Sequence, residues 1–227
     1  MPLCFDPKTA ILPQPQREIW PQLAPAPRLS FVLYGGTAVA LHLGHRQSID
    51  FDFFRAEPLD KRELESSFDF VRTAGTVHEE QNALVITAKM PSGFVMVSFF
   101  GGIGFGRVND PLQTSDSTLL VASLEDLIAT KLKAILDRAE AKDYRDIAEM
   151  LSTGISLERG LAAFSQMFGK DPGLPLKALG YFNDGDLHTL SKRDQQLLRA
   201  ARDRVVEIPK VSLTHGSLAI PIGRCTP

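Results

Sequence analysis

Between Phe31 and Phe54 the chain runs through four contrasting patterns in close succession, and few folds accommodate that order. Phe31-Val32-Leu33-Tyr34 is a continuous apolar run that stops at Gly35-Gly36. A short apolar run ended by glycine predicts a buried strand. Thr37 to Leu43 contains good helix formers, with Thr37 as the expected N-cap and Gly44 as the stop. Ser48 to Phe54 then alternates, with Asp50-Phe51-Asp52-Phe53 at its core. Period-two alternation predicts a strand that carries both carboxylates on one face.

This order has a chemical consequence. A strand that enters a glycine pair and leaves as a helix points backbone amides outward at the helix N-terminus. That is an anion site suited to the tail phosphates of a triphosphate. A side chain in place of either glycine would hold the phosphate away, and Thr37 can offer a hydroxyl to it. Asp50 and Asp52 follow Thr37 by thirteen and fifteen positions. Strand rise puts them about 7 Å apart. A hard divalent cation fits two such carboxylates, and magnesium also accepts phosphate oxygens. A metal beside the phosphate turn would neutralise charge at the α-phosphate and activate an acceptor hydroxyl. The segment is not a Walker loop, because no Gly-Lys-Ser/Thr follows the glycines. Nor is it a dinucleotide fingerprint, because Gly-x-Gly-x-x-Gly is absent from it.

The remaining pattern predicts an α+β chain. Gln16 to Trp20 reads as a helical turn and 59–68 as a helix. Ala83 to Lys89 and Phe94 to Phe100 read as strands joined by a Pro91-Ser92-Gly93 turn. Gly101 to Gly106 is a glycine-dense loop, and strand character returns at Leu119-Leu120-Val121. From Ser123 the period changes to helical, with Ser123 and Asp126 as a capping box and apolar residues at 124, 127, 128, 132, 135 and 136. Helical pattern recurs near 142–151, 156–168 and 191–206. The expected organisation is a mixed-sheet core with an N-terminal helix over 1–121, a helical part over 122–207, and an unplaced tail over 208–227. Strands and helices do not alternate regularly, which disfavours a doubly wound parallel sheet.

Composition bounds the function. The formal net charge of −2 supplies no global field for nucleic acid, so such contact needs a local basic patch. No apolar run approaches the roughly 20 residues that span a bilayer, and the N-terminus lacks a signal-peptide pattern. The two cysteines, Cys4 and Cys225, have no repeated spacing. The expectation is reduced thiols in a soluble cytoplasmic protein.

Tyr34 to Phe54, carrying Gly35-Gly36-Thr37 and Asp50-Phe51-Asp52, resembles the first motif of the AbiEii/AbiGii nucleotidyltransferase toxins, a branch of the DNA polymerase β-like nucleotidyltransferases. Lys131-x-x-Ala134-x-x-x-Arg138-x-x-x-Lys142-Asp143-x-x-Asp146 is similar to the family's helical motif. Together the matches cover roughly 30–152. The resemblance implies transfer of a nucleoside monophosphate from a nucleoside triphosphate to an acceptor. That acceptor would be RNA such as a tRNA 3′ end, with Mg2+ or Mn2+ as the metal and a cognate antitoxin as partner. It implies metal binding by Asp50 and Asp52. Nucleotide contact would come from Gly35, Gly36, Thr37, Arg46, Ser48 and Lys131, with Asp146 orienting or supporting the site. One position departs from the superfamily, which places a third carboxylate on a later strand. On Phe94 to Phe100 that place is taken by Ser98, and Asp110 is the alternative source of an acid. Two other readings stay open: a nucleotide- or partner-binding module without turnover, and a small-molecule nucleotidyltransferase of the aminoglycoside type.

Lys131, Arg138, Lys142 and Arg145 would form a basic stripe on one continuous helix. The alternative is a solvated face with Lys133–Asp137 and Lys142–Asp146 ion pairs. His42 reads as a packed or capping histidine. Trp20, Phe99, Phe100 and Phe105 read as core.

Overall fold

The computed structural model describes residues 3–223. They form two compact units. One holds the residues up to Gly106, Asp110–Ser123 and those from His215 onward; the other holds Arg107–Asn109 and Leu124–Thr214.

The first unit is built on an eight-stranded mixed sheet. Its strands are β1 (Cys4–Phe5), β2 (Val32–Tyr34), β3 (Asp50–Phe54), β4 (Gly75–Glu80), β5 (Ala83–Met90), β6 (Gly93–Phe100), β7 (Leu112–Thr114) and β8 (Leu120–Val121). Their spatial order is β1-β7-β8-β2-β3-β6-β5-β4. The α+β expectation is met: β2 and β3 are antiparallel, β3 and β6 parallel, and β5 and β6 an antiparallel hairpin. The alternation in β3 sorts its faces, with Phe51 and Phe53 fully buried and Asp50 and Asp52 half-buried. On the buried face Phe31, Phe53 and Phe99 pack ring to ring at centroid distances of 5.3–6.3 Å. Aromatic pairs add about 0.5–1.5 kcal/mol beyond the area they bury. Trp20 closes that side and donates from Nε1 to Asp116 Oδ2 at 2.7 Å. Helix α1 (Gln14–Ile19) packs on β5 and β6. Helix α3 (Lys61–Ser67) starts at the N-cap Asp60, whose carboxylate accepts from the Arg62 and Glu63 amides. The edge strand β4 is exposed at every residue. It therefore lacks the alternation that would mark it in sequence.

Two local expectations differ. Helix α2 (Gly35–Leu43) starts at the glycine pair itself, with Tyr34 at the N-cap position and Thr37 already inside the helix. Its end is as expected: Gly44 takes the left-handed conformation, φ +69°, and donates to Ala40 O. Cys4 is disulfide-bonded, not a reduced thiol, while Cys225 lies outside the described residues. The physical setting is one sheet edge. Cys4 pairs in register with Gln113 of β7, and the Gln113 side chain exchanges two hydrogen bonds with the Gly223 backbone, at 3.0 and 3.1 Å.

The second unit is helical, with α4 (Leu124–Asp137), α5 (Ala141–Ser152), α6 (Leu157–Phe168), α7 (Gly173–Ala178) and α8 (Lys192–Arg204). Helix α4 packs on α5, α6 and α7, and α5 on α8. Gly160 lets α6 approach α4, since a Cβ there would come within 2.8 Å of the Ile128 side chain. The Asp126 carboxylate accepts from the Val108 and Asn109 amides, tying the 107–109 segment to the start of α4. Among the described residues no helix is long and apolar enough to cross a membrane.

Candidate functional site

The turn after β2 determines where the polar side chains of the sheet unit gather. Gly35 has φ +75°, a conformation open to glycine at little cost. A Cβ on Gly35 would collide with Asp52 Oδ2, so this carboxylate lies directly over the turn. A Cβ on Gly36 would come within 2.6 Å of Arg46 Nη2 and 2.9 Å of Ser48 Oγ. The two glycines thus let the Arg46, Ser48 and Asp52 side chains pack directly against the turn. The guanidinium stands at the N-terminus of α2, where backbone amides and the helix dipole already favour an anion. Arg46 Nη1 donates to Gln47 O at 2.9 Å, which orients the group.

Thr37 is placed differently from a phosphate-facing hydroxyl. It is fully buried, and its Oγ donates to the carbonyl of Asp50. That bond pins the first turn of α2 to the start of β3, so the threonine positions the carboxylate strand. Register then sets the neighbours of the acids. Asp52 lies between Tyr34 on β2 and Ser98 on β6, and Asp50 lies opposite Met96. Ser98 therefore occupies the place beside Asp52 and is itself buried. Among the described residues no group of three or more His, Cys, Asp and Glu side chains is disposed to hold a metal. Asp110 accordingly does not complete such a set.

These residues fit a magnesium ion of a particular kind. Two half-buried carboxylates on one strand face could supply hard oxygens, and the α2 N-terminus beside them is of the kind that can take an anion. Magnesium is often bound by one or two carboxylates together with substrate phosphates, keeping several waters. The donor set thus suits a metal that arrives with a triphosphate.

In the helical unit Lys131 and Asp146 meet in a buried ionic cluster. Lys131 Nζ lies 2.7 Å from Asp143 Oδ1 and 2.7 Å from Asp146 Oδ2. Both aspartate side chains are fully buried, and the lysine nearly so. Arg138 adds a 2.8 Å contact from Nε to Asp143 Oδ2. Burial alone would raise the Asp143 carboxyl. The charges and hydrogen bonds of Lys131 and Arg138 outweigh this and hold it below its ordinary value. Asp143 is the member that residue-by-residue reasoning passed over. Its signal was the Asp-x-x-Asp spacing, which puts two acids on one helix face.

The basic stripe does not form, because α4 ends at Asp137 and α5 begins at Ala141. The expected Lys133–Asp137 pair is present, but Lys142 pairs with Glu140 at 2.7 Å while Asp146 faces Lys131. Arg145 donates to Thr189. His42 is packed: its ring stacks on Phe5 at 4.3 Å and its Nε2 sits 2.9 Å from Ala122 O. Burial lowers its pKa to about 4. Trp20 and Phe99 are buried as core, whereas Phe100 and Phe105 are only half-buried.

Residues 23–210 match the family model described as nucleotidyl transferase AbiEii toxin, type IV TA system. An uncharacterized protein of Aquifex aeolicus is 29% identical over 119 residues, which are 52% of this chain and 55% of that one. The chain thus spans about half the length of this curated relative. Among solved structures, MenT4, a nucleotidyltransferase toxin of Mycobacterium tuberculosis, superposes with a TM-score of 0.55. The match covers 82% of each chain at 15% identity, a likeness of fold.

Proposed function

The chain belongs to the AbiEii family of nucleotidyltransferase toxins, and from that premise we propose that it transfers a nucleoside monophosphate from a nucleoside triphosphate to an RNA acceptor. The observation that carries this reading is the convergence of Arg46, Ser48 and Asp52 over the two glycines that open α2. Arg46 and the α2 amides hold the β- and γ-phosphates. Asp50 and Asp52 would hold magnesium, which would supply charge neutralisation at the α-phosphate. The acceptor hydroxyl oxygen bonds to the α-phosphorus, and its proton passes to one of the two carboxylates. The α–β anhydride bond breaks and pyrophosphate leaves. Thr37 acts on Asp50 through the backbone. Lys131 and Asp146, with Asp143, support their unit from within. Acceptor RNA, including tRNA 3′ ends, a cytoplasmic setting and a cognate antitoxin complete the reading.

A second reading draws on Ser98: with no third acid beside Asp52, the site binds nucleotide without turnover. One experiment separates the two. Purified protein is incubated with magnesium, a labelled triphosphate and total tRNA, alongside Asp50→Asn and Asp52→Asn. The transfer reading expects label on RNA in the wild type and a loss of about 100- to 1000-fold in either variant, the scale of a lost electrostatic stabiliser. Triphosphate binding without label on any acceptor would favour the second reading.

A further inference from the structure

The sheet carries an apolar surface next to the carboxylates that the reading above does not use. Hairpin β5–β6 buries one face completely: Val95, Val97, Ile86 and Ala88 are at most 1% exposed. Its other face should therefore be polar. Instead Phe94 is 67% exposed and Met96 39%. Register places these residues. Met96 is opposite Asp50, and Phe94 lies two positions away on the same face. Strand spacing and rise put the Phe94 backbone about 8 Å from that of Asp50, comparable with the width of one nucleoside. Lys89 is in register with Phe94 and Thr87 with Met96, and Lys89 is exposed. In these two rows the acid is Asp50 itself. Glu79 and Glu80 sit at the far end of β4, paired with Lys61 and His78.

We propose that this face is the acceptor platform: Phe94 and Met96 stack the terminal base of a single-stranded polynucleotide, Lys89 contacts its phosphate, and its hydroxyl is turned toward Asp50. The proposal rests on the transferase reading for the role of Asp50. The platform itself is a binding site whose existence does not depend on turnover. An aromatic ring for a base and a cation for a phosphate are the pair of contacts that sequence-tolerant single-strand binding uses. They also reconcile nucleic-acid contact with a chain of net charge −2, because the contact area is small and local.

The test measures binding directly, by fluorescence anisotropy of an end-labelled single-stranded RNA decamer with the full chain. Phe94→Ala should raise the Kd about tenfold or more, and Phe94→Trp should stay within about twofold of wild type. Lys89→Gln should weaken binding about threefold and reduce the slope of log affinity against log salt by about 0.7. The melting shift produced by magnesium and triphosphate should be the same in all variants. Wild-type affinity in Phe94→Ala overturns the proposal. So does a wild type that binds no RNA, or a Phe94→Trp as weak as Phe94→Ala. If the decamer binds through Phe94 while no label is ever transferred, the transferase reading falls and the platform stands.

Discussion

The glycine-turn site and the Lys131 cluster both bring aspartates and a cation together, but by opposite physical means. At the turn the cation and carboxylate are half-buried, and two missing side chains let them close onto the backbone. In the cluster the charges are buried and spend their hydrogen bonds on one another. The first lies at a helix N-terminus, where backbone amides favour an anion. The second contributes order to the helical unit, since a buried charge is tolerated only with its partners in place. The difference teaches which acids to assign to chemistry and which to architecture, although the sequence presents both as Asp-x(-x)-Asp.

The largest effect should come from breaking the buried cluster. Lys131→Met removes the cation shared by two buried carboxylates, so unfolding stability should drop by about 3–5 kcal/mol. Urea midpoints would register this, and a drop below about 1 kcal/mol would show the cluster to be hydrated and erase the contrast. Gly35→Ala should be milder for stability and harsher for ligand. The positive φ costs about 1 kcal/mol, and displacement of the Asp52 carboxylate should weaken the magnesium–triphosphate melting shift more than tenfold in ligand concentration. An unchanged ligand titration would mean that the carboxylate over the turn is not part of the site. The smallest effect is a pH dependence within the sheet unit. His42 has a folded pKa of about 4 against an ordinary value of 6.5. The unfolded chain therefore binds the extra proton first as pH falls. Stability is fully present above about 6.5 and is lost on acidification toward 4, on the order of 1 kcal/mol between pH 7.5 and 6. Melting of His42→Gln across that range should be flatter than wild type; equal slopes would place the titrating group elsewhere.

Much of this was legible in sequence where the physics is local. The period-two run at Asp50 to Phe54 announces its strand, its buried phenylalanines and its acid face, because strand geometry alone dictates them. The amphipathic run from Leu124 announces α4. Strand β4 was illegible, since all six of its residues are exposed and nothing in its pattern marks a face. The N-cap expectation at Thr37 fails for a related reason. A threonine after two glycines looks like a cap, yet its partner, the Asp50 carbonyl, is thirteen residues away and comes near only when β3 lies beside β2. Arg55 carries no local sequence signal. It is buried under Phe31 and paired with Glu63 and Pro58 O, contacts that exist only once α3 folds back on the sheet.

By itself, then, the sequence determined the family, the glycine turn and the two carboxylates on one face, because each follows from residue spacing and backbone geometry. The tertiary structure decided which hydroxyl faces inward, which aspartates disappear into a lysine cluster, that Ser98 stands beside Asp52, and that Phe94 is left uncovered two residues from the register partner of Asp50. Those outcomes depend on strand pairing and helix packing, which bring together residues that no local period connects.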